Sequence, residues 1–176
     1  MLKNSVLEAK DVWKGYNTAN GAWRWILQGI NLEILEGDFI AILSAPGIGK
    51  SALLKVLSFR EKVERGAVYF EGRLVGRSGD TELEQMRAER IWLLNGAVKG
   101  NKITVDQSRR PAAVLLDDPV DLVGSDSRGA LLQIAALISA GVAVVIATSK
   151  PVVAARASTI YKLHNGRLDK IAGELR

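Results

Sequence analysis

The stretch "LSAPGIGKSALL", Leu43 to Leu54, ends its polar part in Gly49-Lys50-Ser51. Its spacing is that of Gly-x-x-x-x-Gly-Lys-Ser/Thr, with Ser44 in place of the first glycine. Residues of this kind, set between a strand and a helix, can curl their main-chain amides around phosphate oxygens. The amides of Gly47, Ile48, Gly49 and Lys50 would converge on the anion, with Ala52 continuing into the helix. Glycine permits both the curl and the close approach. The positive end of the following helix adds to the attraction. The Lys50 ammonium would reach the outer phosphates, and the Ser51 hydroxyl would hold Mg²⁺. About 65 residues later, "VLLDDP" ends an apolar strand in Asp117 and Asp118. Asp117 is placed to share the Mg²⁺ ion, and Asp118 to act on an attacking water.

These residues need a sheet with helices to position them, and the chain alternates strand and helix signals accordingly. Asp38 to Leu43 reads as a short strand, followed by a helix from Lys50 to about Ser58 with Leu53, Leu54 and Leu57 on one face. "AVYFEG" reads as an antiparallel strand entering a glycine turn. Asp80 to Glu89 reads as a helix, with Thr81 and Glu84 forming a capping box. Ile91 to Leu94 is a strand, Ser127 to Ala140 a helix, and Val142 to Ala147 a buried strand. Pro151 suits a first helical position. "TIYKLHNGRLDKI" is a hairpin whose Asn165-Gly166 favours a primed turn.

The chain has 176 residues, enough for one domain. It has no cysteine, which excludes disulfides, thiolate metal sites and cysteine nucleophiles and suits a reducing cytoplasm. No signal-peptide pattern opens it. Ala130 to Thr148 carries no charge, but the glycine before the β-branched run Val142 to Ile146 makes it a buried helix, a turn and a strand rather than a membrane span. The net charge of +5 comes from scattered Lys and Arg, with Arg109-Arg110 the one tight pair, which argues for a solvated surface over a nucleic-acid site.

In their order and spacing these segments resemble an ATP-binding subunit of an ABC transporter, close to the branch serving lipoprotein release, macrolide export and cell division. The likeness runs through "LEAKDVWKGY", "ILQGINLEILEGDFIAIL", "RGAVYFEGRLV", "SGDTELEQMRAERIWLL" and the final hairpin. It implies an α/β phosphate-loop sheet with an N-terminal antiparallel β subdomain, in one domain over residues 1–176. It implies ATP and Mg²⁺ as ligands, and Tyr16 as the aromatic that stacks on adenine, with Trp23 and Trp25 in "NGAWRWIL" as rivals.

The chain also departs from that family. Asn95 stands where a glutamine senses Mg²⁺ and water. Residues 95–112 are too few for the helical subdomain and its Leu-Ser-Gly-Gly-Gln signature. Asp118 replaces the catalytic glutamate, "VDLVGSD" replaces Ser-Ala-Leu-Asp, and Ser149 replaces the switch histidine. The lone His164 reads as a solvated turn residue. The expectation is therefore ATP binding with weak or no hydrolysis, in a regulatory or structural subunit of a membrane-associated complex at the inner face of the cell membrane. A permease, a full-length ABC ATPase, or a homo- or heterodimer mate are the partners implied. Alternatives are an ATPase completed by a heterologous partner, an interaction module without nucleotide, and a small-molecule phosphotransferase.

Overall fold

The computed structural model describes residues 3–75, 89–95, 110–119, 122 and 127–171. The expected helix at Asp80 to Glu89 falls almost wholly outside them. So do residues 96–109, within the shortened middle, and most of the loop after Asp118.

Two sheets build the fold. In the first, β1 (Ser5–Asn17), β2 (Trp23–Leu35), β4 (Arg65–Phe70) and β5 (Arg73–Val75) run antiparallel in the order β2-β1-β4-β5. The second sheet has the order β10-β9-β3-β8-β7-β6. Its strands are β3 (Phe39–Leu43), β6 (Ile91–Asn95), β7 (Ala113–Asp117), β8 (Ala143–Thr148), β9 (Thr159–His164) and β10 (Arg167–Lys170). All its pairings are parallel except the β9–β10 hairpin. Every residue of β8 is buried, as a parallel strand covered on both faces requires.

Helix α1 (Lys50–Leu57) lies between the sheets. It buries Leu53, Leu54 and Leu57 in one core with Leu7, Val12, Leu27 and Ile30 of the antiparallel sheet and Leu115 and Val145 of the parallel one. The helix stops where Phe59 turns left-handed at φ 59°, a common way to end a helix. A second core lies behind the parallel sheet. There α2 (Ser127–Ser139) and α3 (Pro151–Ala154) pack Ala130, Ile134 and Val153 on Val114, Leu116, Val144 and Ile146. The uncharged stretch from Ala130 to Thr148 is thus helix, turn and buried strand. No helix among the described residues is long and apolar enough to cross a membrane.

The tip of the β9–β10 hairpin returns to the first sheet. Asn165 and Gly166 both have positive φ, 48° and 74°, as the primed turn demands. The Gln28 amide donates to the Gly166 carbonyl at 2.7 Å, which ties the tip to β2.

Candidate functional site: a phosphate loop and the strand ends beside it

The chain leaves β3 at Ser44, which is buried. Its amide donates to the Thr148 carbonyl at 3.0 Å, and its hydroxyl to the Ala45 carbonyl at 3.1 Å. Ser44 is not among the described residues with left-handed backbone, so replacing glycine with serine here brings no such strain. The left-handed conformations fall on Gly47 and Gly49, at φ 77° and 117°. Gly49 caps α1, and its carbonyl accepts the first helical bond, from Leu53, at 2.9 Å. A Cβ on Gly49 would stand 2.6 Å from Cγ2 of Ile26, so β2 presses directly on the loop.

Lys50 is only 8% exposed. Its ammonium donates to the carbonyls of Ser44 at 3.0 Å and Ala45 at 2.9 Å. No carboxylate pairs with it among the described residues, and the first turn of α1 contains no acid. A buried cation held by carbonyl dipoles alone is short of one anionic partner. Ser51 is exposed at the same helix start, while Ala52 is buried and Ile48 packs partly against the core.

The acids come from further along the sheet. Strand β8 intervenes between β3 and β7, so Asp117 sits two strands from the loop strand. The register aligns Leu43 with Thr148, Asp117 with Ala147, and Asn95 with Asp117, all at the carboxyl ends of parallel strands. In open α/β sheets that end is where ligands bind. Asp117 is half-buried. Asp118 is exposed and adopts φ 48°, anchored by its amide to the Ala147 carbonyl at 2.7 Å. Its carboxylate accepts a long hydrogen bond, 3.4 Å, from the Thr148 hydroxyl, which also accepts from the Lys150 amide at 3.1 Å. Thr148 is fully buried and went unnoticed in the sequence, since a threonine ending an apolar strand carries no motif. Ser149, the next residue, is half-buried.

Tyr16 is engaged elsewhere. Its hydroxyl donates to Glu61, its ring lies 5.2 Å from the Lys14 ammonium, and it packs against the core between the sheets. Burial first, and then the bond to Glu61, push its phenol above the ordinary range. Burial pushes the Glu61 carboxyl up, but the bonds from Tyr16 and Lys55 outweigh that and hold it low. Beside the phosphate loop is a cleft of about 290 Å³ whose lining does not include Tyr16. Arg24, Trp25, Ile26 and Gln28 of β2, Gly47 and Ile48 of the loop, and the Asn165-Gly166 turn form its walls. Trp25 meets Trp13 and Trp23 edge-to-face, with centroids 5.6 and 5.5 Å apart. His164 is exposed and pairs with Asp169 across the hairpin at 2.6 Å.

A curled loop at a helix start, beside parallel strand ends, defines a phosphate-loop α/β protein. The chain belongs to the ABC transporter family, whose model matches residues 27–140. A lipoprotein-releasing system ATP-binding protein, LolD, of Geobacter metallireducens is 39% identical over 88 residues, covering 50% of this chain and 39% of that one. The bacitracin export ATP-binding protein BceA of Halalkalibacterium halodurans is 34% identical over 90 residues, covering 51% and 35%. The matched stretches thus span little more than a third of these relatives. Among solved structures, the ATP-binding cassette MJ0796 bound to ADP and Pi superposes with a TM-score of 0.74 at 20% identity, over 95% of this chain and 99% of that one. At that identity the likeness is one of fold.

Proposed function

We propose that this chain is an ATP-binding subunit of ABC type that holds ATP with Mg²⁺ and hydrolyses it slowly or not at all. It would serve as a regulatory or structural member of a membrane-associated complex, at the cytoplasmic face, beside a permease or a full-length ATPase. The observation that carries this reading is Lys50: a buried ammonium with carbonyls but, among the described residues, no carboxylate, at the positive end of α1 and directly after two left-handed glycines. A triphosphate supplies the missing anion, and the loop amides supply its donors. Mg²⁺ commonly takes one or two protein oxygens together with phosphate oxygens and water. Ser51 and Asp117 are such a pair, with Asn95 at the adjacent strand end. When bound, the ion would neutralise phosphate charge.

Support for weak turnover comes from the opposite side of the site. Asp118 is a short, exposed carboxylate whose side-chain partner among the described residues is a hydroxyl 3.4 Å away. Ser149 can act neither as a cation nor as a ring base. Residues 96–112 contain no Leu-Ser-Gly-Gly-Gln with which a second copy could close over the nucleotide. Losing one positioned catalytic group typically lowers a rate about 10² to 10⁴-fold. The membrane setting is supported by relatives such as a macrolide export ATP-binding/permease protein of Bordetella avium.

Titration of the chain with ATP and Mg²⁺, followed by phosphate release, tests the proposal. Wild type should bind, Lys50→Ala should bind far more weakly, and neither should release phosphate at more than a trace rate. Equal affinities, no binding, or brisk turnover by the chain alone would overturn it.

A further inference from the structure

Three of the chain's four tryptophans gather at the end of the antiparallel sheet where β1 turns into β2. Trp25 stands edge-to-face with Trp13 and Trp23, at interplanar angles of 80° and 84°. Trp23 lies over Gly15, where a Cβ would come within 2.6 Å of its ring. It is nonetheless 48% exposed. A packed aromatic cluster that still faces water marks a contact surface, which a lone surface tryptophan does not. The Arg65 guanidinium lies 5.9 Å from the Trp13 centroid and 5.4 Å from that of Trp25. Arg24, between Trp23 and Trp25 in β2, is exposed. Among the described residues neither arginine pairs with a carboxylate. Glu64 is taken by Lys14 at 3.0 Å, and Asp11 accepts the Trp13 indole N–H at 2.9 Å.

The turn itself, residues 18–22, carries no charge and is exposed from Ala19 onward. Its polar groups satisfy one another. The Ala22 carbonyl accepts from the Thr18 amide at 2.8 Å and from the Thr18 hydroxyl at 2.7 Å, and the Thr18 carbonyl accepts from the Gly21 amide at 2.9 Å. Such a turn loses less on leaving water than one with open donors and acceptors. Indole rings settle at the headgroup level of a bilayer, and arginine is drawn to its anionic surface. Further along the same strands Glu8 and Glu33 stand opposite each other. A nucleic-acid strand laid along the sheet would meet those carboxylates, whereas a lipid plane touching only the hairpin end would not. We propose that this end is a docking surface for anionic lipid, with Trp23 entering the headgroup layer and Arg24 and Arg65 meeting its phosphates. The claim is separate from the nucleotide site, and a permease holding the chain at a membrane does not require it.

The test is flotation of the full chain with vesicles of equal phosphatidylcholine and phosphatidylglycerol, and with vesicles of phosphatidylcholine alone. Wild type should float with the anionic vesicles, far less with the neutral ones, and less as salt rises. Arg24→Gln and Arg65→Gln should each lower partitioning about fivefold. Trp23→Ser should lower it by a similar factor, and Trp23→Tyr should retain most of it. Ala19→Glu adds a negative charge at the exposed turn without disturbing the ring cluster, and should also lower partitioning. Unchanged urea midpoints show that the variants are folded. Arg128→Gln removes an exposed cation from α2 instead, and should stay within about twofold of wild type. If it matches the loss in Arg24→Gln, net charge alone drives the binding and the inference is overturned. No flotation by wild type, or tighter binding to single-stranded oligouridylate than to the vesicles, would overturn it as well. The ATP titration described above decides the nucleotide reading independently of either result.

Discussion

The two sides of the candidate site are built to different tolerances. On the loop side Lys50 is buried and held by two carbonyls near 3 Å, and β2 leaves no room for a side chain at Gly49. On the strand-end side Asp118 is exposed and left-handed, and among the described residues its carboxylate is tied by a 3.4 Å contact to Thr148. A site can bind an anion with the first side alone. To align a water for attack it needs the second, since catalytic geometry must hold to within about half an ångström. The contrast teaches that binding and hydrolysis are separable demands; under the proposed function, the closer packing on the loop side serves binding.

Substitutions can sharpen or break that contrast. The largest effect belongs to Lys50→Ala. Losing a charge-assisted bond to phosphate costs about 1.5–3 kcal/mol, so ATP affinity should drop roughly ten- to hundredfold by titration. Next is Gly49→Ala, which combines φ 117° with a contact of 2.6 Å to Ile26. It should destabilise the fold by about 1–3 kcal/mol in urea. Adding Ile26→Ala relieves the contact but not the backbone strain, so the double variant should fall short of the summed single losses. If the two losses simply add, β2 does not brace the loop.

Smaller again is a pH effect far from the anion. The Tyr16 phenol is raised above its ordinary value of 10.0, so the protonated form is favoured in the folded chain. Its contribution is present in full below about pH 10 and fades as the pH climbs beyond. Tyr16→Phe should therefore lose less stability on going above pH 10 than wild type does, as followed by denaturant midpoints. The smallest effect is expected on the strand-end side. Asp118→Asn should leave ATP affinity within about twofold and stability within about 0.5 kcal/mol, as for an exposed residue. A large loss of affinity there would erase the difference between the two sides.

Much of this was legible in the chain itself. Gly49-Lys50-Ser51 between a strand and a helix, the buried run from Val142 to Ala147, and the Asn165-Gly166 hairpin all follow from local rules of backbone conformation and periodicity. Ser44, at odds with the motif, turned out to need no left-handed backbone. What could not be read locally was set by pairing across long distances. Nothing in "VLLDDP" says that β8 will lie between β7 and the loop strand, which is why Asp117 is further along the sheet than its motif suggests. Thr148 acquires its role only when β8 sits there. Likewise, Tyr16 is separated by 45 residues from the Glu61 that claims its hydroxyl. Trp25 lines the cleft because β2 is an edge strand, a property of the assembled sheet that spacing does not encode.

One measurement bears most directly on the separation of binding from hydrolysis. A small amount of labelled ATP is mixed with excess protein and Mg²⁺, and the bound nucleotide is recovered after prolonged incubation and resolved into ATP and ADP. Retention of label that is still overwhelmingly ATP is the expected result. Recovery as ADP, or no label retained by the protein, would contradict it.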